Sequence, residues 1–177
     1  DDGSIDDSDE VLERLSKVYP WIVVITLSKN FGQHPATTAG ILHTSGDWVI
    51  TLDEDLQHQP KYIIDLLRKA IVDNLDIVYA NPSQVVHESG FRDYSSRKFK
   101  ILMSRVTRNP FVVMFNSFRL MRGSIGRAAA AISIDQTYFD IALGWFTKRI
   151  NQISLPMKDF RFIESKRSGY SLVKLLS

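Results

Sequence analysis

Apolar residues at Val11, Leu12, Leu15, Val18 and Tyr19 fall on one face of a helical wheel, so Ser8 to Tyr19 is expected to form a helix that ends before Pro20. The next pattern is different. Trp21 to Leu27 (Trp-Ile-Val-Val-Ile-Thr-Leu) is continuous and β-branched, as expected of a parallel strand buried on both faces. A polar loop, Ser28 to Pro35, leads to a short helix of small residues over Ala36 to Thr44, and Gly46-Asp47 turns the chain into a second apolar run, Trp48 to Leu52. Pro60 suits the first turn of a helix reaching Val72, with Ile63, Ile64, Leu66, Leu67 and Ile71 as its apolar face. Asp76 to Ala80 is the following strand.

Strands and helices that alternate at this spacing predict an α/β fold, an open and mostly parallel sheet with helices on both faces. Beyond Ala80 the pattern changes. Asn81 to Gly90 reads as a loop, and Tyr94 to Thr107 as a basic amphipathic helix carrying Phe99, Ile101, Leu102, Met103 and Val106. Phe118 to Met121 is expected to be a short strand, Ala128 to Ile132 and Tyr138 to Lys148 helices, and Ile153 to Pro156 an edge strand, because proline cannot donate to a central ladder.

Composition narrows the picture. A chain of 177 residues has the size of one domain, and 44% hydrophobic with 24% charged residues is ordinary for a globular protein. It contains no cysteine, which removes disulfides and thiolate zinc sites. A net charge of +2 is too small to imply nucleic-acid binding, although it averages an acidic start with a basic middle. No apolar run approaches the roughly 20 residues that span a bilayer. Asp1-Asp2-Gly3-Ser4 reads as a loop leaving a strand that does not precede it, and the tail from Tyr170 to Ser177 stops as an amphipathic helix begins. The 177 residues are therefore expected to be a single domain that lacks its first strand and any membrane helices that follow.

The candidate chemistry centres on Asp53-Glu54-Asp55-Leu56-Gln57, directly after the Trp48 to Leu52 run. In an α/β sheet, ligands bind at the C-terminal ends of the strands. Asp53 and Asp55, two apart, point the same way in extended geometry and suit one hard divalent cation, with Gln57 as a neutral oxygen donor. Alone, the five residues also describe a solvated acidic turn.

The surrounding motifs resemble one family, the family 2 glycosyltransferases of the GT-A fold, and within it the polyprenyl-phosphate sugar transferases. Asp1-Asp2-Gly3-Ser4 with Asp6 is similar to the family's D-D-G-S-x-D loop. Asn30, Gly32, Ala36 and Ala39-Gly40 resemble its N-x-G-x(3)-A-x(2)-A-G helix start, and Gly46-Asp47 its G-D. Asp53, Asp55 and Gln57 match D-x-D-x-Q, Ser117-Phe118-Arg119-Leu120 the S/G-F-R-L segment, and Arg92 with Ser96 an R-x(3)-S pattern. Arg167 to Leu172 resembles K/R-S-x-Y-S/T-L, but the glycine that often precedes it is Lys166 here, which removes the support for an acceptor-binding arginine in that loop.

The resemblance implies a Rossmann-like GT-A domain and a nucleotide-diphosphate sugar held by Asp1, Asp2, Asn30, Gly32 and Asp53. It also implies a Mg²⁺ or Mn²⁺ ion on Asp53, Asp55 and Gln57, and a polyprenyl phosphate acceptor on Arg92, Ser96 and Arg119. The reaction implied is inverting transfer at the cytoplasmic face of a membrane, with no nucleic-acid partner and with a homo-oligomer left open. Arginine's planar fork matches phosphate oxygens, and a phosphate acceptor, already anionic, needs positioning cations more than a base. Asp140 resembles an acid in the helix of related transferases that faces the sugar and acceptor, serving as a general base or a ligand of donor hydroxyls, and the resemblance makes Asp140 and Arg119 the catalytic candidates; a helix N-terminal acid facing the dipole reads equally well for Asp140. The basic stretch Arg92 to Arg108 fits either a helix at an anionic lipid surface or a solvated face. Two other functions stay open: transfer to a saccharide hydroxyl, which demands a base, and a nucleotide-sugar binding module without catalysis.

Overall fold

The computed structural model describes residues 1–53, 58–84, 110–133 and 138–158. Among these the elements are α1 (Ser8–Val18), α2 (Gln33–Leu42), β1 (Trp48–Thr51), α3 (Ile63–Val72), β2 (Ile77–Gln84), β3 (Arg119–Arg122), α4 (Gly123–Ile132), α5 (Phe139–Phe146) and β4 (Ile150–Lys158). Short 3-10 turns occupy Pro60–Tyr62 and Pro110–Met114. The chain divides into two compact units, Asp1–Val49 with Met121–Lys148, and Ile50–Leu120 with Arg149–Ser177.

In the first unit, α4 packs between α2 and α5. Its glycines permit this. A Cβ at Gly126 would stand 2.8 Å from the sulfur of Met121 and 3.7 Å from Ile41. A Cβ at Gly123 would fall 2.0 Å from the carbonyl oxygen of Gly46, and the Gly123 N–H donates to the carbonyl of Asp47 at 2.7 Å. That bond satisfies one of the donors that every helix start leaves open, so α4 begins at Gly123, five residues before the expected Ala128. The core here is Ile41, Val49, Met121, Ala129, Ala130, Phe139, Ala142 and Leu143.

The run from Trp21 to Leu27 corrects the expectation of a strand buried on both faces. Among the described residues it is extended but carries no strand ladder, and Trp21 and Val23 are 77% and 71% exposed. The backbone pairing found for it is a single parallel bridge, in which Asp1 N donates to Ile25 O at 2.8 Å and Leu27 N to Asp1 O at 2.9 Å. A strand is buried only when neighbours cover it, and one bridge covers one end. For a related reason the apolar side of α1, with Val11, Leu15 and Val18, has no buried residue.

The second unit contains parts of all four strands, hydrogen-bonded in the order β1-β3-β2-β4. Strands β2 and β4 are parallel, with Ile77 opposite Ile150, Tyr79 opposite Gln152 and Ala80 opposite Ile153. Strand β2 runs to Gln84, through residues expected to be loop, and Pro82 is accommodated because the register shifts between Pro82 and Gln84. Strand β4 lies last in the order, as expected of the segment holding Pro156, whose carbonyl accepts from the Tyr62 hydroxyl at 3.2 Å.

Pro60 sits at the start of its turn as expected, but the buried face of α3 is narrower than the sequence pattern. Leu66 and Ala70 are buried beside Tyr62, whereas Ile64 and Ile71 are 58% and 64% exposed. The sheet covers one stripe of a helix, and Ile64 and Ile71 lie off it. The remaining core is Ile77 to Ala80, Val112, Phe118, Leu120, Ile150, Leu155 and Met157. The expected helix over 94–107 lies outside the described residues.

Candidate active site

The first group of candidates is held by carboxylates that bind backbone. Asp2 receives the peptide N–H of Phe31 on Oδ1 at 2.8 Å and that of Gly32 on Oδ2 at 2.7 Å, so one side chain brackets the loop that starts α2. Each of those oxygens has a second lone pair with which to meet a ligand. Asp1 turns inward on its own loop, accepting from the amide of Ser4 at 3.1 Å and from its hydroxyl. Gly3 has φ +69°, and a Cβ there would stand 2.5 Å from the backbone carbon of Lys29. Only glycine fits on both counts. Gly32, at φ +100°, precedes α2 with open space around it, and Asn30 is exposed beside it. Structure therefore brings Asp1, Asp2, Asn30 and Gly32 together.

Gly46 and Asp47 use their carbonyls to seat α4, since Arg127 Nη1 donates to Gly46 O at 3.1 Å alongside the Gly123 bond. Asp140 lies in the first turn of α5 and is 1% exposed, where the helix dipole favours its charge.

In the second unit, Asp53 follows β1 by two residues and is half-buried. Its Oδ2 accepts from the Ser117 hydroxyl at 2.7 Å, and the Ser117 carbonyl is itself held by the Thr51 hydroxyl at 2.6 Å. On its other side the Asp53 peptide N–H donates to His58 Nδ1 at 2.9 Å. The His58 ring stacks on Phe118 with centroids 4.9 Å apart and planes at 24°. Arg119, 4% exposed, donates from Nη1 to the Asn116 carbonyl at 3.3 Å. The donor chemistry fits a hard cation: a half-buried carboxylate at a strand's C-terminal end offers oxygen, the ligand that Mg²⁺ and Mn²⁺ prefer. Asp55 and Gln57, with Arg92 and Ser96, lie outside the described residues. Among the described residues no group of three or more His, Cys, Asp or Glu side chains is placed to hold a metal.

Residues 1–127 match the family model described as glycosyl transferase family 2. The chain belongs to glycosyl transferase family 2.

Among curated relatives, this family 2 chain is 34% identical over 178 residues to undecaprenyl-phosphate 4-deoxy-4-formamido-L-arabinose transferase of Sodalis glossinidius (strain morsitans), covering 100% of the chain and 53% of that protein. The transferase of the same name from Salmonella paratyphi B is 33% identical over 177 residues, covering 99% and 54%. The chain thus spans about half the length of the curated relatives it matches. Among solved structures, glucosyl-3-phosphoglycerate synthase of M. tuberculosis has the same fold at TM-score 0.56 and 15% identity, over 98% of this chain and 61% of that one. Its complex with Mn²⁺, uridine diphosphate and glucosyl-3-phosphoglycerate aligns at TM-score 0.53 and 15% identity, over 99% and 65%. The GT-A expectation is met at the level of fold.

His58 and Thr51 were not among the residues the sequence pattern pointed to. The available signal was position: His58 follows Gln57 directly, inside the same segment between strand and helix.

Proposed function

We propose that this chain is the catalytic core of a transferase that moves a sugar from a nucleotide diphosphate to a polyprenyl phosphate, with inversion at the anomeric carbon and with a divalent cation, Mg²⁺ or Mn²⁺. The observation that carries the reading is the Asp53 carboxylate, set at the C-terminal end of β1 by Ser117 and belonging to a D-x-D-x-Q segment in a family 2 chain. The curated relatives are named as undecaprenyl-phosphate sugar transferases, which supports the lipid acceptor. A solved neighbour holds Mn²⁺ with uridine diphosphate, which supports the cation.

In this reading Asp1, Asp2, Asn30 and Gly32 receive the nucleoside, and Asp53, Asp55 and Gln57 hold the cation. When bound, that ion supplies Lewis-acid neutralisation of the leaving diphosphate. The bond from the anomeric carbon to the diphosphate oxygen breaks as an acceptor phosphate oxygen attacks the opposite face, and the nucleoside diphosphate leaves with the electron pair. Arg92, Ser96 and Arg119 orient the acceptor phosphate, whose attacking oxygen is already anionic and needs no base to activate it. Asp140 then meets sugar hydroxyls and is not an obligatory base. The natural location is the cytoplasmic face of a membrane, reached from its surface; among the described residues no helix is long and apolar enough to cross one.

The test is calorimetric titration of the chain with uridine diphosphate, with and without Mn²⁺, for wild type and Asp53→Asn. Binding should tighten with Mn²⁺ and lose that dependence in the variant. Binding indifferent to Mn²⁺ in the wild type would sink the metal assignment.

A further inference from the structure

We infer that His58 is a positioning residue for Asp53, an imidazole that fixes the metal-facing residue through its backbone; the inference rests on the cation reading above.

The Asp53 peptide N–H points at His58 Nδ1, 2.9 Å away, so Nδ1 presents its lone pair and the ring proton sits on Nε2. Nδ1 is also 3.7 Å from Asp53 Oδ2, beyond hydrogen-bond reach. The histidine therefore grips Asp53 through its backbone N–H.

Two consecutive residues anchor both halves of the grip. Phe118, fully buried, is the surface on which the His58 ring lies, and the His58 side chain is itself 11% exposed. Ser117 supplies the hydroxyl on Oδ2, and Thr51, two residues before Asp53, ties the Ser117 carbonyl to the end of β1. Main chain and side chain of Asp53 are thus referred to the same short segment. A ligand held at both points loses little freedom when a cation arrives, and partners behind a ligand commonly contribute 10–100-fold in metal affinity.

Two variants separate acceptor from ring. His58→Phe keeps an aromatic ring for Phe118 and removes the acceptor, whereas His58→Asn provides an amide oxygen near the Nδ1 position and removes the ring. Mn²⁺ affinity in saturating uridine diphosphate is read from the electron paramagnetic resonance of free Mn²⁺. His58→Phe should weaken it about tenfold or more, and His58→Asn by less than about threefold. Thermal melting monitors folding, and Ser117→Ala, which removes the donor to Oδ2, replaces His58→Phe if that variant does not fold; it should also weaken Mn²⁺ about tenfold.

Wild-type affinity in His58→Phe (or in Ser117→Ala, where it stands in), or equal losses in the Phe and Asn variants, would overturn the inference while leaving the cation reading intact. An Asp53→Asn variant that binds Mn²⁺ and uridine diphosphate as the wild type does would remove the cation reading, and this inference with it.

Discussion

Arg149 grips the buried carboxylate of Asp76 with two nitrogens, Nε to Oδ2 at 2.9 Å and Nη2 to Oδ1 at 2.6 Å. The pair stands just before Ile77 and Ile150, the first matched residues of β2 and β4, and the Asp76 amide donates to the Arg149 carbonyl at 2.9 Å. It closes the N-terminal end of the parallel pair, away from the strand ends where ligands bind. The carboxylate holds the Arg149 guanidinium above its ordinary range. A raised value means that this stabilisation is complete below the ordinary guanidinium pKa and is lost only as pH rises through the higher one. On the arginine side the pair is constant across all working pH. Arg149→Met should leave a buried carboxylate without its fork and lower the melting temperature by several degrees, with Arg149→Lys intermediate because an ammonium cannot bridge both oxygens. Calorimetric melting checks the order.

Gly3 and Gly32 should respond differently to alanine. At Gly32 the cost is backbone strain alone, about 1–3 kcal/mol, because nothing lies within 4 Å of the added carbon. At Gly3 the same strain is joined by collision with the Lys29 backbone, so Gly3→Ala should cost more than Gly32→Ala in urea unfolding.

Asp140→Asn tests the identity of the acceptor. With a phosphate acceptor, transfer should fall less than about tenfold, since general-base catalysis contributes 10²–10⁴-fold only where a proton must be removed. A loss of about a hundredfold or more, measured with undecaprenyl phosphate and the donor sugar, would make Asp140 an obligatory base and remove the argument that the acceptor needs none.

Glu13 and Lys17 offer a local reading of α1. Lys17 Nζ lies 2.9 Å from the Glu13 carboxylate and holds its pKa below the ordinary 4.5. The stabilisation is therefore present above that ordinary value and is lost as pH falls through the lower, folded one. Lys17→Met should raise the Glu13 pKa toward 4.5, as followed by NMR titration, and added salt should do part of the same, because both side chains are exposed.

Much of this fold was legible where local pattern and tertiary outcome agree. The β-branched run at Trp48, the proline at the start of the turn before α3, and the proline in β4 each carry their explanation within a few residues. Trp21 to Leu27 has as strong a β pattern, yet what it becomes depends on which backbone lies alongside, and a pattern holds no information on that. The start of α4 at Gly123 depends on the carbonyls of Gly46 and Asp47, more than 70 residues away. The motif around Asp53 was legible as ligand chemistry. The grip of His58 was not, because the Phe118 ring and the Ser117 hydroxyl that give it meaning arrive about 60 residues later.

The Asp2 bracket reaches across 30 residues to the amide of Gly32, with α1 and the extended Trp21 to Leu27 run in between. A closure of that length carries its entropy cost before any reward, so the bracket is an event of late folding and not a seed of it. The shape of the loop before α2 then reports on everything between the two ends. Amide exchange at Phe31 and Gly32 would serve as a gauge of whether α1 and its following segment have docked.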